Sequence, residues 1–398
     1  MKNILVVSQY YNPEPFLINE VVESLKEKKY ELTILTGMPN YPEGEIYKGY
    51  KSGVSIRGNT KIIRVNARPR KKGKINLFLN YISFAFKGSI EVLKMKNVYD
   101  VVYVYQLSPV IMAIPAIVYK LMYKKKIVLY CLDLWPQSLI SGGIKRNSII
   151  YKIFLIISKY IYKKADIIQI SSVLFEKYFK EELNIKKQLN YIPQYANDIF
   201  INTRNYESIK KDNDKINFMF AGNLGEMQSI ETIIKAIKIT RCKNVVLHIL
   251  GDGSNKDKLI QLVNKLDLNE KVIFHGRKPI DSMPSYYQKA DALIVSLKSD
   301  EVISYTLPGK VQTYMASGKP LIATINGETA NIINEANCGL VSKAEDITKL
   351  AENFDRFCQM EEKDREKLGE NGIKFYKEHF TKEIFMDSLI KDLEGVPK

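Results

Sequence analysis

The sequence predicts an α/β protein of two doubly wound domains, each built on a parallel sheet, with its ligand in the cleft between them. Three observations carry this expectation. The chain has 398 residues, 45% of them hydrophobic, too long for one core and rich enough to fill two domains of roughly 150–200 residues each. Short β-branched runs recur along both halves, each followed by a turn and a helix-like pattern, as in parallel sheets with helical crossovers. A polar stretch within Ile192–Lys215, rich in Asn and Asp and without periodicity, divides the halves.

In the first half the strand-like runs are Asn3–Val7, Glu31–Leu35, Lys61–Val65, Val101–Val104, Lys126–Leu129 and Ile167–Ile170. The first lies in MKNILVVSQYY, which turns polar too soon for the apolar core of a signal peptide and so reads as a strand. Pro109–Met122 and Ile149–Ile161 are apolar but interrupted by Tyr and Lys. Both fall short of the roughly 20 apolar residues a membrane span needs, so no transmembrane helix is expected. In the second half the runs are Asn217–Phe220, Val245–Leu250, Lys271–Phe274, Ala292–Val295 and Pro320–Ala323. The pattern gives domains 1–196 and 216–374, a linker 197–215, and a tail 375–398 whose apolar residues recur at helical spacing. That tail is expected to pack back toward the first domain.

Four cysteines without a CxxC pair and three scattered histidines support neither a disulfide framework nor a metal site. The formal charge of +16 is unevenly placed. Residues 1–200 hold 31 Lys and Arg against 15 Asp and Glu, and residues 201–398 hold 29 of each. The densest cluster, RPRKKGK, supplies Arg68, Arg70, Lys71, Lys72 and Lys74 just ahead of the aromatic run INLFLNYISFAF. No helix-turn-helix, RNP or zinc pattern accompanies it, which argues against nucleic acid. An anionic membrane surface fits better, since each basic side chain near such a leaflet contributes about 1 kcal/mol. A merely solvated face is the bland alternative.

In open α/β sheets ligands gather at the carboxyl ends of strands. FMFAGNLGEMQSIETIIKAI is strand, turn and helix; Gly222 and Gly225 allow close backbone approach, and the helix start near Gln228 suits an anion such as a diphosphate. A plain tight turn would look the same. LGDGSNK repeats the arrangement with Gly251, Asp252 and Gly253, and lacks the third glycine of a dinucleotide fingerprint. After the next run come Gly276, Arg277 and Lys278, where backbone groups and a guanidinium can meet a base; His275 reads as a packed strand residue. Pro308 and Gly309 put Lys310 at the mouth of a short helix, where dipole and ammonium both attract phosphate oxygens. Glu328, in NGET, can accept sugar or ribose hydroxyls. In the first half, Asp133 and Trp135 of YCLDLWPQSL follow a strand, and Asp133 is the candidate base or hydroxyl-orienting group.

Taken in order, NPEPFLINEVVESL, MPNYPEGEIYKGY, DLWPQSL, FAGNLGEMQSIETIIKAI, LGDG, FHGRKP, ADALIVSL, PGKVQTYMASGKPLIA and NGETANIINEANCGL resemble the family 4 glycosyltransferases. The nearest branch is that of O-antigen, capsule and colanic-acid transferases of the WbuB and WcaI type. The resemblance implies a GT-B fold whose first domain binds the acceptor and whose second binds a nucleotide sugar, expected to be UDP-linked. It implies a retaining, metal-independent reaction with no cofactor. The implied acceptor is a lipid-pyrophosphate-linked saccharide at the inner face of a bacterial cytoplasmic membrane, where the protein would sit peripherally; no nucleic acid is implied. Lys310 then matches the phosphate-binding lysine, and the donor set is Gly222, Asn223, Gly225, Gln228, Gly251, Asp252, Gly253, Arg277, Lys278, Pro308, Gly309, Thr313 and Glu328. Pro15, Phe16, Leu17 and Trp135 fall to the acceptor.

The chain departs from the family at several of these places. Thr313 and Tyr305 stand where many members carry two glutamates, and Glu301 or Glu328 could compensate. Asn223 and Gln228 replace a basic pair, and Phe16 and Leu17 replace paired glycines. Cys131 and Leu132 stand where some members have a histidine. Two other readings share the architecture: a nucleotide-sugar epimerase, which needs no acceptor, and a non-catalytic adaptor for membrane or nucleic acid on a degenerate transferase fold.

Overall fold

The computed structural model describes residues 2–42, 44–71, 73–201 and 215–395, the side chain of Lys74 excepted. The chain divides into two compact units, Met1–Ile192 with Met386–Lys398, and Pro193–Phe385. Most of the linker expected at 197–215 lies outside the described residues.

The first unit holds strands β1 (Asn3–Val7), β2 (Glu31–Gly37), β3 (Gly53–Arg57), β4 (Thr60–Val65), β5 (Val101–Gln106), β6 (Lys126–Cys131), β7 (Ile167–Ile170) and β8 (Leu189–Tyr191). They form one sheet in the order β3-β4-β2-β1-β5-β6-β7-β8. All neighbours are parallel except β3, which runs antiparallel to β4 at the edge. Its helices are α1 (Ile18–Glu27), α2 (Lys74–Leu93), α3 (Ile114–Tyr123), α4 (Ser138–Ser141), α5 (Ile149–Lys164) and α6 (Phe175–Lys177). The central strands are buried along nearly their whole length. Strands covered on both faces are continuous apolar runs rather than alternating ones, which is why they were visible in the sequence.

The second unit holds β9 (Ile216–Ala221), β10 (Val245–Leu250), β11 (Val272–Gly276), β12 (Ala292–Ser296), β13 (Leu321–Thr324) and β14 (Gly339–Ser342), all parallel, in the order β11-β10-β9-β12-β13-β14. Its helices are α7 (Ile230–Ile239), α8 (Lys256–Lys265), α9 (Met283–Lys289), α10 (Glu301–Ser304), α11 (Gly309–Ala316), α12 (Glu328–Glu335), α13 (Ile347–Gln359) and α14 (Glu362–His379). Alternation along β9 builds two cores. Phe218 stacks on Phe354 of α13 at 4.6 Å between centroids, while Met219 and Ala221 face Tyr287, Tyr314 and Tyr376 on the other side. Each fully buried Phe contributes about 1.5–3 kcal/mol.

The last helix, α15 (Lys382–Gly395), breaks from α14 at Phe380 and Thr381. From Met386 onward its residues belong to the first unit. Asp392 accepts hydrogen bonds from Gln169 and Asn190, each at 2.7 Å, and Lys2 donates to the Leu393 carbonyl at 2.9 Å.

The strand order reverses direction between β1 and β5 in one sheet and between β9 and β12 in the other. At such a point neighbouring loops part on opposite sides of the sheet, and a crevice opens at the carboxyl ends.

Candidate functional site

In the second unit that crevice is built around the end of β9. The Tyr314 hydroxyl of α11 accepts from the Ala221 amide at 3.1 Å and donates to the Ala221 carbonyl at 3.0 Å. Lys310 lies four residues earlier on the same helix face, so the tyrosine fixes the lysine against the loop that follows β9. The Lys310 ammonium donates to Gln228 Oε1 at 2.7 Å and sits 4.3 Å from the centre of the Phe220 ring. A Cβ on Gly222 would come within 3.0 Å of the same nitrogen, so glycine there keeps the space open. Among the described residues no carboxylate pairs with Lys310, and burial lowers its pKa to about 7. A cation held without a counter-ion at a strand's carboxyl end is a receptor for an anion.

The turns after β9, β10 and β11 are nested. A Cβ on Gly251 would stand 1.8 Å from the Gly222 carbonyl oxygen, and its φ of +132° is one that only glycine adopts readily. Gly251 donates its amide to the Gly276 carbonyl at 2.9 Å, and Leu224 donates to the Asp252 carbonyl at 2.9 Å. The Asn223 side-chain amide lies against both Gly225 and Gly253. Asp252 is exposed; its carboxylate accepts from the Gly253 amide at 2.8 Å and lies 3.4 Å from Lys256, and these two contacts lower its pKa. Beyond β11, the Lys278 ammonium lies 5.7 Å from the Tyr286 ring centre, and the Arg277 charge acts on Asp252.

Pro308 caps α11, Gly309 is its first residue, and Thr313 donates its hydroxyl to the Gly309 carbonyl at 3.1 Å. Glu328 is the buried first residue of α12. Its helix start is wedged against the segment before Pro308, since a Cβ on Gly327 would meet the Ser304 carbonyl at 2.0 Å and Thr329 donates to the Thr306 carbonyl at 3.3 Å. Glu301 is exposed and accepts from the Tyr305 hydroxyl at 3.1 Å. Thus Gly222, Gln228 and Lys310 meet directly, and the turns at Asn223, Gly225, Gly251 and Gly253 interlock behind them.

Sequence reasoning missed Tyr314 and Phe220, which position the lysine. The i,i+4 spacing of Lys310 and Tyr314 was the available signal. It also missed the pairing of His275 with His248, whose ring nitrogens lie 2.9 Å apart, with Asn217 Oδ1 3.1 Å from the other nitrogen of His248. Burial lowers His248 to about 4, so both rings stay neutral at pH 7. Only the strand register brings them together.

In the first unit Asp133 follows β6. Its carboxylate accepts from Ser138 and, at 3.0 Å, from the Trp135 indole, which also reaches Ser108 at 3.0 Å. Burial raises its pKa against these bonds. Phe16 stacks on Tyr10 at 5.3 Å, Pro15 is exposed, and Leu17 leads into α1. Arg68 is exposed and donates to Asn76 at 3.1 Å; Lys71 is exposed as well. Arg70 is turned inward instead, 5.4 Å from the centre of the Tyr41 ring. Lys72 and the side chain of Lys74 lie outside what the structure describes.

Residues 202–375 match the family of glycosyl transferases group 1. The chain is 26% identical over 262 residues to the probable glycosyltransferase WbjE of Pseudomonas aeruginosa, an alignment covering 63% of this chain and 64% of that protein. It is 27% identical over 118 residues to the putative colanic acid biosynthesis glycosyl transferase WcaI of Escherichia coli K12, covering 30% and 28%. The chain thus spans less than two thirds of the length of these relatives. Sucrose-phosphate synthase from Thermosynechococcus elongatus superposes with a TM-score of 0.75 at 16% identity, over 99% of both chains. Anabaena HepE, solved with UDP and glucose, gives 0.68 at 12% over all of both chains. At such identities the structures speak for the fold, which is GT-B. Joined to that fold, the family match over residues 202–375 and the curated relatives make the chain similar to the group 1 glycosyltransferases.

Proposed function

We propose that the protein is a retaining, metal-independent glycosyltransferase of family 4. It moves a sugar from a nucleotide diphosphate donor, UDP-linked by preference, to a lipid-pyrophosphate-linked saccharide in bacterial surface polysaccharide synthesis. The observation that carries this is Lys310: an ammonium without a carboxylate partner among the described residues, poised 2.7 Å from Gln228 at the end of β9. As the bond from the sugar to the diphosphate breaks, negative charge grows on the leaving oxygen. The ammonium and the amides of the glycine turns stabilise that charge. The acceptor hydroxyl attacks from the same face, and its proton passes to the departing phosphate, so no separate enzymic base is required. Thermal denaturation against a panel of UDP- and GDP-sugars tests the reading. One of them is expected to raise the melting temperature and, with a lipid-linked saccharide present, to be consumed. A change in the sugar nucleotide without acceptor would instead mark an epimerase, and no shift with any of them would remove the donor site.

The same reading places the first unit on the inner leaflet of the cytoplasmic membrane. No helix among the described residues is long and apolar enough to cross a bilayer. What supports a surface contact is a set of exposed apolar side chains at helical spacing: Ile75, Phe78, Ile82 and Phe86 on α2, and Ile149, Ile153 and Ile156 on α5. Phe78 packs edge-on against Phe154 of α5, so the two helices are neighbours. Together α2, α3 and α5 carry seven lysines and one acidic residue, Glu91. That charge suits an anionic leaflet and opposes docking against a second copy of the same face. Phe86→Glu with Ile156→Glu is expected to release the protein from phosphatidylglycerol vesicles; undiminished co-sedimentation would refute the contact.

A further inference from the structure

The aromatic cluster at the carboxyl edge of the first sheet contains a cation, Arg70, that has no ion-pair partner among the described residues. Arg70 sits in the loop after β4, half-buried. Its amide donates to Asn40 Oδ1 at 2.7 Å, and its guanidinium lies over Tyr41 and bonds the Tyr10 hydroxyl. Tyr10 and Tyr41 belong to the loops after β1 and β2, and their rings lie 5.7 Å apart. On the other side Tyr81 of α2 feels the Arg70 charge and bonds Ser108, which accepts from the Trp135 indole. Arg70 therefore stands beside the point where the strand order reverses between β1 and β5.

Among the described residues two carboxylates, Glu14 and Asp133, lie in the same region, and both are already engaged. Glu14 accepts from the amides of Asn40 and Tyr41, each at 2.8 Å, and of Tyr11 at 3.2 Å. Asp133 is held by Ser138 and Trp135. Among the described residues no carboxylate pairs with Arg70. A guanidinium drawn into an apolar cluster loses hydration and recovers it only through an anion or strong acceptors. Its planar fork matches phosphate oxygens in a bidentate pair, and the half-exposed rings of Tyr41 and Phe16, 5.1 Å apart, adjoin it.

The geometry points to Arg70 as the anchor for a phosphoryl group of the acceptor, bound at the carboxyl edge of the first sheet; this rests on the transferase reading. The group is either the diphosphate of a polyprenyl carrier or a phosphate borne by a soluble acceptor. Calorimetric titration of the full chain, with UDP at saturation to fill the site at Lys310, separates the two. Farnesyl diphosphate and inorganic pyrophosphate are the probes. The unmodified protein is expected to bind farnesyl diphosphate, Arg70→Gln to bind it at least tenfold more weakly, and Arg70→Lys to recover part of the loss. Binding of UDP and the melting temperature of the first unit are expected to be equal in all three, which shows that the variants fold. If inorganic pyrophosphate binds as well as the prenyl form, the phosphoryl group alone is read; if it binds poorly, the lipid is read too. Equal affinity of Arg70→Gln and the unmodified protein for farnesyl diphosphate, or no binding of either probe, overturns the assignment. Failure of UDP itself to bind would count against the donor site, while the Arg70 comparison would still stand or fall by the prenyl diphosphate.

Discussion

Lys310→Ala is expected to lower turnover by about 10²–10³, or about 3–4 kcal/mol of transition-state stabilisation, the scale found when one preorganised charge-stabilising donor is removed. The expectation follows from geometry. The ammonium is fixed by Gln228, by the Phe220 ring beneath it and by the Tyr314 anchor one helical turn away. It therefore needs little rearrangement when charge develops on the leaving diphosphate. Initial rates with the sugar nucleotide identified by thermal denaturation provide the measurement, and near-normal turnover would remove Lys310 from the phosphate site. Arginine is no conservative replacement, because the lysine nitrogen already lies where a Cβ on Gly222 would be within 3.0 Å. Neither change should unfold the protein, since the pins of α11 are Tyr314 and the buried Val311 and Met315.

Much of this site was legible because it depends on local chemistry. A glycine turn after an apolar run, and a proline–glycine pair before a short helix, state backbone conformation residue by residue, and Gly251 and Lys310 stand where such turns put them. The buried central strands were legible for a related reason, since burial on both faces leaves unbroken apolar runs. Three strands were missed, and all three are at or near a sheet edge. β3 is half polar and fully exposed, β8 has three residues, and β14 opens on Gly339. None is long or apolar enough to signal itself, and each forms because a neighbour offers a ladder. Arg70 was misplaced for a different reason. In RPRKKGK every basic residue looks alike, and only the packing of loops from β1, β2 and β4 turns one of them inward. Asp133 likewise reads as a lone acid in sequence, whereas its bonds to Ser138 and Trp135 make it part of the loop's own structure.

Donor binding is expected to weaken as pH rises above about 7, by up to tenfold per unit, in the protein with Lys310 and not in Lys310→Met. Burial holds the free lysine near 7, well below its ordinary 10.5, and a bound diphosphate supplies the missing counter-charge and raises it again. Above pH 7, binding must therefore take up a proton, and one proton changes the logarithm of the affinity by at most one per pH unit. Below about 6 the terminal phosphate of UDP itself takes up a proton, so its affinity is expected to peak between the two values. The stability of the ligand-free protein has the opposite trend. Between about 7 and 10.5 the unfolded chain holds the lysine proton and the folded chain does not, so this group makes the fold more stable as pH rises through that window. Below 7 both states are protonated and the full penalty of the buried charge remains. Lys310→Met should then raise the melting temperature most at pH 6 and least near pH 10. Calorimetric titration with UDP from pH 6 to 9 and melting curves from pH 6 to 10 measure both trends. A flat affinity profile above pH 7 in the unmodified protein would mean that the lysine is already charged, and that its ammonium is not waiting for the diphosphate.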